Sequence, residues 1–155
     1  MSWDLLVVNL PDVESIDDIP KDYVLPSLGK LENIIARIKK IIPKVDFSHS
    51  DWGILIEESF SIEFSMGTNE TCDSFMLHVR GGGNAVLTIS YLLKEMRLRA
   101  YDCQSGDFFT VDSAQGSFAD WQAFRDGVIS NLGLVEKFLH KIPEMTLFIM
   151  SHHWA

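Results

Sequence analysis

Ser74-Phe-Met-Leu-His-Val-Arg80-Gly81-Gly82-Gly83-Asn84-Ala-Val-Leu-Thr-Ile-Ser-Tyr-Leu-Leu-Lys-Glu-Met-Arg97 is the stretch on which the fold turns. Phe75, Leu77 and Val79 alternate with Met76, His78 and Arg80, the two-residue period of a strand with one buried face. The run from Ala85 to Met96 is too long and too apolar for a strand and reads as a largely buried helix. Between them, three glycines permit positive φ, and Asn84 is placed to cap the first helical amides. A junction of this kind turns backbone N–H groups outward beside a guanidinium, so Arg80, Gly81, Gly82, Gly83 and Asn84 form a candidate anion or phosphate site. It is neither a P-loop nor a dinucleotide fingerprint, because no lysine-serine or lysine-threonine pair follows the glycines. The plainer reading of the same residues is a tight turn that lets a buried helix pack closely on a sheet.

Working upstream, Gly53 to Glu57 and Phe60 to Met66 read as strands. With Ser74 to Arg80 they make an antiparallel meander, since the links are too short for a crossover. Ile62, Phe64 and Met66 take the core side, which leaves Ser61, Glu63 and Ser65 on the side shared by His78 and Arg80. Glu63, His78 and Arg80 are therefore a second candidate group, with Glu63 expected within reach of the imidazole for acid–base work. Ordinary cross-strand charge pairing explains the same pattern. Before the meander, the apolar run Leu5 to Leu10 predicts a strand buried on both faces, and Asp12 to Asp22 an acidic, proline-punctuated loop. From Ser27 the pattern becomes helical, with Leu31, Ile34, Ile35, Ile38, Ile41 and Ile42 at helical spacing until Pro43, and Asp46 to Asp51 reads as a polar turn.

Downstream, Arg99 to Cys103 is expected to return beside the meander through a right-handed crossover, with a short pairing at Phe108 to Val111. Ser117-Phe-Ala-Asp120 offers a cap for a third helix carrying Phe118, Trp121, Phe124, Val128, Leu132, Val135 and Leu139. Pro143 ends it, and Met145 to Met150 reads as a last strand or apolar tail. The expected fold class is α+β: a two-layer sandwich in β-α-β-β-β-α-β order, its sheet mostly antiparallel, with helices on one face and an appended C-terminal helix. Residues 1–155 are expected to form a single domain, 1–110 the α+β core and 111–155 a helical extension.

Acidic residues outnumber basic ones 22 to 13, a formal charge of -9. That balance argues against nucleic acid and anionic membrane surfaces as partners and for another protein, a basic one in particular. The densest basic spots, Lys39-Lys40 and Arg97-Leu-Arg99, fall at predicted helix ends, where cations complement the helix dipole. Asp12, Glu14, Asp17, Asp18 and Asp22 face only Lys21. Trp3, Trp52 and Trp121 suit a core, whereas Trp154 fits a terminal anchor or a partner contact.

Cys72 and Cys103 have neither metal nor redox spacing and are expected as free thiols. His49 with Asp51, and His152 with His153, do not supply the converging ligands zinc requires. No cofactor motif and no nucleophile motif is present, so no catalytic residue is assigned. The opening Met1-Ser-Trp-Asp-Leu-Leu-Val-Val-Asn lacks a basic region and reads as a strand, and the apolar runs are short, which places the chain in the cytoplasm.

Met1-Ser-Trp-Asp4, Asp46-Phe-Ser-His-Ser-Asp-Trp-Gly53, Phe60-Ser-Ile-Glu63 and Leu77-His-Val-Arg-Gly-Gly82 resemble a group of small uncharacterised bacterial proteins, with the likeness spanning residues 1 to 109. The resemblance implies a bacterial origin and a common fold and transfers no functional residue; that group has an acidic residue soon after the glycine pair, where this chain has Gly83-Asn84. The leading expectation is a non-catalytic protein-binding module, immunity-protein-like in kind. The alternatives are a small-molecule or phosphate-dependent activity at Arg80 to Asn84 and a homo-oligomeric module using an open sheet edge.

Overall fold

A computed structural model describes residues 2–112. The expected third helix, the strand or tail at 145–150, and His152, His153, Trp121 and Trp154 lie outside them. The fold class is α+β, with a seven-stranded sheet whose hydrogen-bonded neighbours all run antiparallel and two helices on one face. In chain order the strands are β1 (Trp3–Val8), β2 (Gly29–Lys30), β3 (Asp46–His49), β4 (Trp52–Ile56), β5 (Phe60–Ser65), β6 (Thr71–Cys72), β7 (Ser74–Gly81), β8 (Arg99–Asp102) and β9 (Asp107–Phe108). The helices are α1 (Leu31–Ile41) and α2 (Ala85–Met96). The large sheet runs β3-β4-β5-β7-β1-β8-β9, and β2 pairs with β6 in a separate ribbon.

Period-two patterning explains the core. Trp3, Leu5 and Val7 of β1, Ile62 and Phe64 of β5, and Phe75, Leu77 and Val79 of β7 are buried against Leu31, Ile34 and Ile38 of α1 and Val86, Ile89, Leu92 and Leu93 of α2. Each such side chain contributes about 1.5–3 kcal/mol of transfer free energy relative to exposure. β7 and α2 occupy the residues that their sequence periods define.

Five expectations change. α1 begins at Leu31 rather than Ser27, because Gly29 and Lys30 pair with Cys72 and Thr71 as β2. β1 alternates rather than being buried on both faces, because the helices cover one side only and Asp4 and Leu6 remain half-buried. The turn expected at Asp46 to Asp51 contains β3, an irregular edge strand on β4 with Asp46 opposite Ile54. β8 pairs with β1, not with the meander, so β1 is inserted between two strands that run parallel to each other. Asn84 makes no side-chain cap; α2 begins without one and ends at Arg97 in the left-handed region (φ 56°), where the Arg37 guanidinium reaches the Met96 carbonyl.

Candidate functional site

Register assembles the polar side of the sheet. His78 of β7 stands opposite Glu63 of β5 and Asp4 of β1, so an imidazole and two carboxyl side chains form one transverse row. Glu63 and His78 are neighbours as the alternation predicts, but the partners are exchanged. Glu63 Oε1 lies 2.8 Å from Arg80 Nη1, and His78 Nδ1 lies 2.8 Å from Asp4 Oδ1. The carboxylate that meets the imidazole is thus Asp4, which sequence reasoning passed over. Its one signal was an acidic side chain at an outward position of the first strand, and that signal carries no register.

Asp4 also accepts from Ser2 Oγ, and the Trp52 ring stacks on the imidazole with centroids 6.2 Å apart and planes 22° apart. A carboxylate at Nδ1 favours the proton there and fixes the ring's orientation. Beside this pair, Cys103 donates its backbone N–H to the Asp4 carbonyl. Desolvation first, then the Asp4 and Asp102 charges, pushes its thiol up to about 11. The residue as a whole is exposed, so the two carboxylates are the causes that this surface position sustains. Either way the sulfur is a neutral thiol at neutral pH and a poor nucleophile. The row is thereby a set of mutually hydrogen-bonded polar side chains, without the activated nucleophile that covalent catalysis needs.

The glycine turn is explained by close packing. A Cβ on Gly81, which has φ +93°, would meet the Ser59 carbonyl oxygen at 2.4 Å, and one on Gly83 (φ +60°) would meet Ser59 Oγ at 2.2 Å. The Gly82 amide donates to the Ser59 carbonyl at 2.7 Å. Arg80, Gly81, Gly82, Gly83 and Asn84 are therefore contiguous at one sheet end, with the Gly82 donor engaged by the β4–β5 turn and Arg80 by Glu63.

A buried polar contact holds the opposite edge. Trp3 Nε1 donates to Asp102 Oδ1 at 2.9 Å, and the same oxygen accepts the Gln104 and Ser105 amides, fixing the turn into β9. Among the described residues no group of three or more His, Cys, Asp or Glu side chains is placed to hold a metal ion, and no helix is long and apolar enough to cross a membrane.

The remaining conspicuous surface is the loop between β1 and β2. Its start is pinned by Arg99 Nη1, which donates to the Pro11 and Val13 carbonyls while the guanidinium lies 3.6 Å from the Phe108 ring centroid. Its end is held by the Leu28 amide and Ser27 Oγ on the Cys72 carbonyl. Between these anchors Tyr23, Val24 and Leu25 are 36%, 83% and 46% exposed. Asp17, Asp18 and Asp22 are exposed beside them and enter no ion pair among the described residues. No family model, curated protein or solved structure matches the chain, so the functional reading rests on this chemistry.

Proposed function

We propose that the protein is a non-catalytic binding module for a basic protein partner, in the manner of an immunity protein, working in the bacterial cytoplasm. The loop between β1 and β2 is its contact surface. The observation that carries this reading is the exposed Tyr23-Val24-Leu25 segment beside Asp17, Asp18 and Asp22, which enter no ion pair among the described residues. Exposed apolar side chains supply the contact area of a small interface, and an acidic surround raises the association rate with a cationic surface. Anchoring at both ends lowers the ordering cost of binding. The polar side chains on the sheet face, in contrast, already engage one another: Glu63 with Arg80 and Asp4 with His78.

A photo-crosslinking amino acid at Val24, introduced into the full chain in its native host, tests the reading. The expected product is a crosslink to a basic protein that fades at high salt and is lost when Asp17, Asp18 and Asp22 are changed together to Asn. A product whose yield is indifferent to both changes, or no product, overturns it. A crosslink to a second copy of the chain supports the homo-oligomeric alternative instead.

A further inference from the structure

At the end of the sheet opposite the glycine turn, a cleft of about 450 Å³ opens where the chain passes from β5 to β7. Its floor is a transverse row, since Met76 stands opposite both Ser65 and Leu6 in register. Its wall is the Gly67–Asp73 loop, and no sequence motif marks it. The wall is braced from outside: the Leu28 amide binds the Cys72 carbonyl at 2.9 Å, the Leu31 amide binds the Glu70 carbonyl at 2.8 Å, and Met66 donates to the Asp51 carbonyl at 2.9 Å. The ribbon of β2 and β6, with Gly29 opposite Cys72, completes the brace.

The volume falls within the range of small-molecule sites, and such sites are largely pre-formed. The lining pairs an apolar part, Leu6 and Met76, with polar groups from Asn69, Thr71 and Asp73. Asp73 is the charged residue of the lining, is exposed, and enters no ion pair among the described residues. The neighbouring Cys72 thiol, buried in the core, is pushed up, by desolvation first and next by the charge of Asp73. Methionine adapts its shape to different apolar bodies.

We infer that this cleft binds a small organic cation, with its ammonium group at Asp73 and its apolar body over Met76 and Leu6. An anion meets the Asp73 carboxylate and is disfavoured there; a neutral molecule of the same shape gains the apolar contact alone. The site is separate from the loop proposed to bind protein.

Phenethylamine, 2-phenylethanol and phenylacetate share one ring and differ in charge, so titrating each into the isotope-labelled full chain while following amide and methionine-methyl NMR signals separates the contributions. Saturable shifts at Asn69, Asp73, Ser74 and the Met76 methyl are expected with the amine at millimolar concentration, with affinity in the order amine, alcohol, acid. Asp73→Asn should weaken the amine about fivefold, the loss of one solvent-exposed charge pair, and leave the alcohol unchanged. Joint replacement of Asp17, Asp18 and Asp22 by Asn should change neither. Absence of saturation, equal binding of the acid, an Asp73→Asn variant that binds the amine as tightly as the original, or shifts confined to residues 12–25 would each overturn the inference.

Discussion

The two ends of β7 are opposite solutions to one problem, reversing the chain at the margin of a sheet. At the Gly81 end the backbone presses so closely on Ser59 that a single added carbon would fall 2.4 Å from a carbonyl oxygen. At the Met66–Asp73 end the loop stands away from the sheet, held by hydrogen bonds to β2 and α1, and Gly67 (φ +76°) has nothing within 4 Å of where a Cβ would lie. The conspicuous motif is therefore a packing device, and the unremarkable loop encloses the space. Glycine density in a sequence reports a demand on the backbone, and two different demands, closeness and conformation, look alike until neighbours are in place.

Substitutions that separate those demands break or sharpen the comparison. Gly81→Ala adds a backbone collision to an unfavourable φ and should cost about 3 kcal/mol, read from chemical denaturation of the full chain. A loss below about 1 kcal/mol would mean that the Ser59 turn yields and that the tight end is not tight. Trp3→Phe calibrates a third turn, the one fixed by Asp102: it removes a donor from a buried carboxylate and should cost about 2 kcal/mol. Gly67→Ala should cost only about 1 kcal/mol, the conformational part without the collision. At the small end, Glu63→Gln should cost no more than about 1 kcal/mol, an effect that shrinks with added salt because the pair with Arg80 is partly solvated.

Cys103 adds a pH-dependent test near the β1–β8 edge. In the unfolded chain its thiol ionises near the ordinary 9.0, while in the folded chain desolvation, partial at this exposed position, and the Asp4 and Asp102 charges hold the proton above that value, to about 11 at most. Between these values the folded state binds the extra proton, so stability falls as pH rises through that window. The fall should be shallower in Cys103→Ser, measured by thermal melts on both chains, and an identical slope would place the thiol in ordinary solvent.

Much of the fold was legible. The alternation of Phe75, Leu77 and Val79, the apolar period of Ala85 to Met96 and the short links of the meander each express a local constraint, and β4, β5, β7, α1 and α2 follow them closely. The strand at Asp46–His49 was not legible, because a four-residue edge strand rich in polar side chains carries the same composition as a turn. Nor was the insertion of β1 between β7 and β8, since the run Leu5 to Leu10 says that a strand is buried without saying which strands flank it. The ribbon of β2 and β6 is two residues on each side and has no periodicity to read.

The candidate residues divide in the same way. Glu63, His78 and Arg80 were placed on one face by period alone, and the antiparallel pairing of β5 with β7 followed from a link too short for a crossover. The exchange of partners, Glu63 to Arg80 and His78 to Asp4, required the register of β1 against β7, a contact 74 residues apart in sequence. The pairing of Trp3 with Asp102 spans 99 residues. What the amino-acid order by itself determined is which side of each strand and helix is apolar, and where glycine and proline interrupt them, because these depend on neighbours within a few residues. Which charges meet, which amides the glycine turn spends and where a cleft remains were decided only by the tertiary structure, because strand order and register are set by burying all the apolar faces at once.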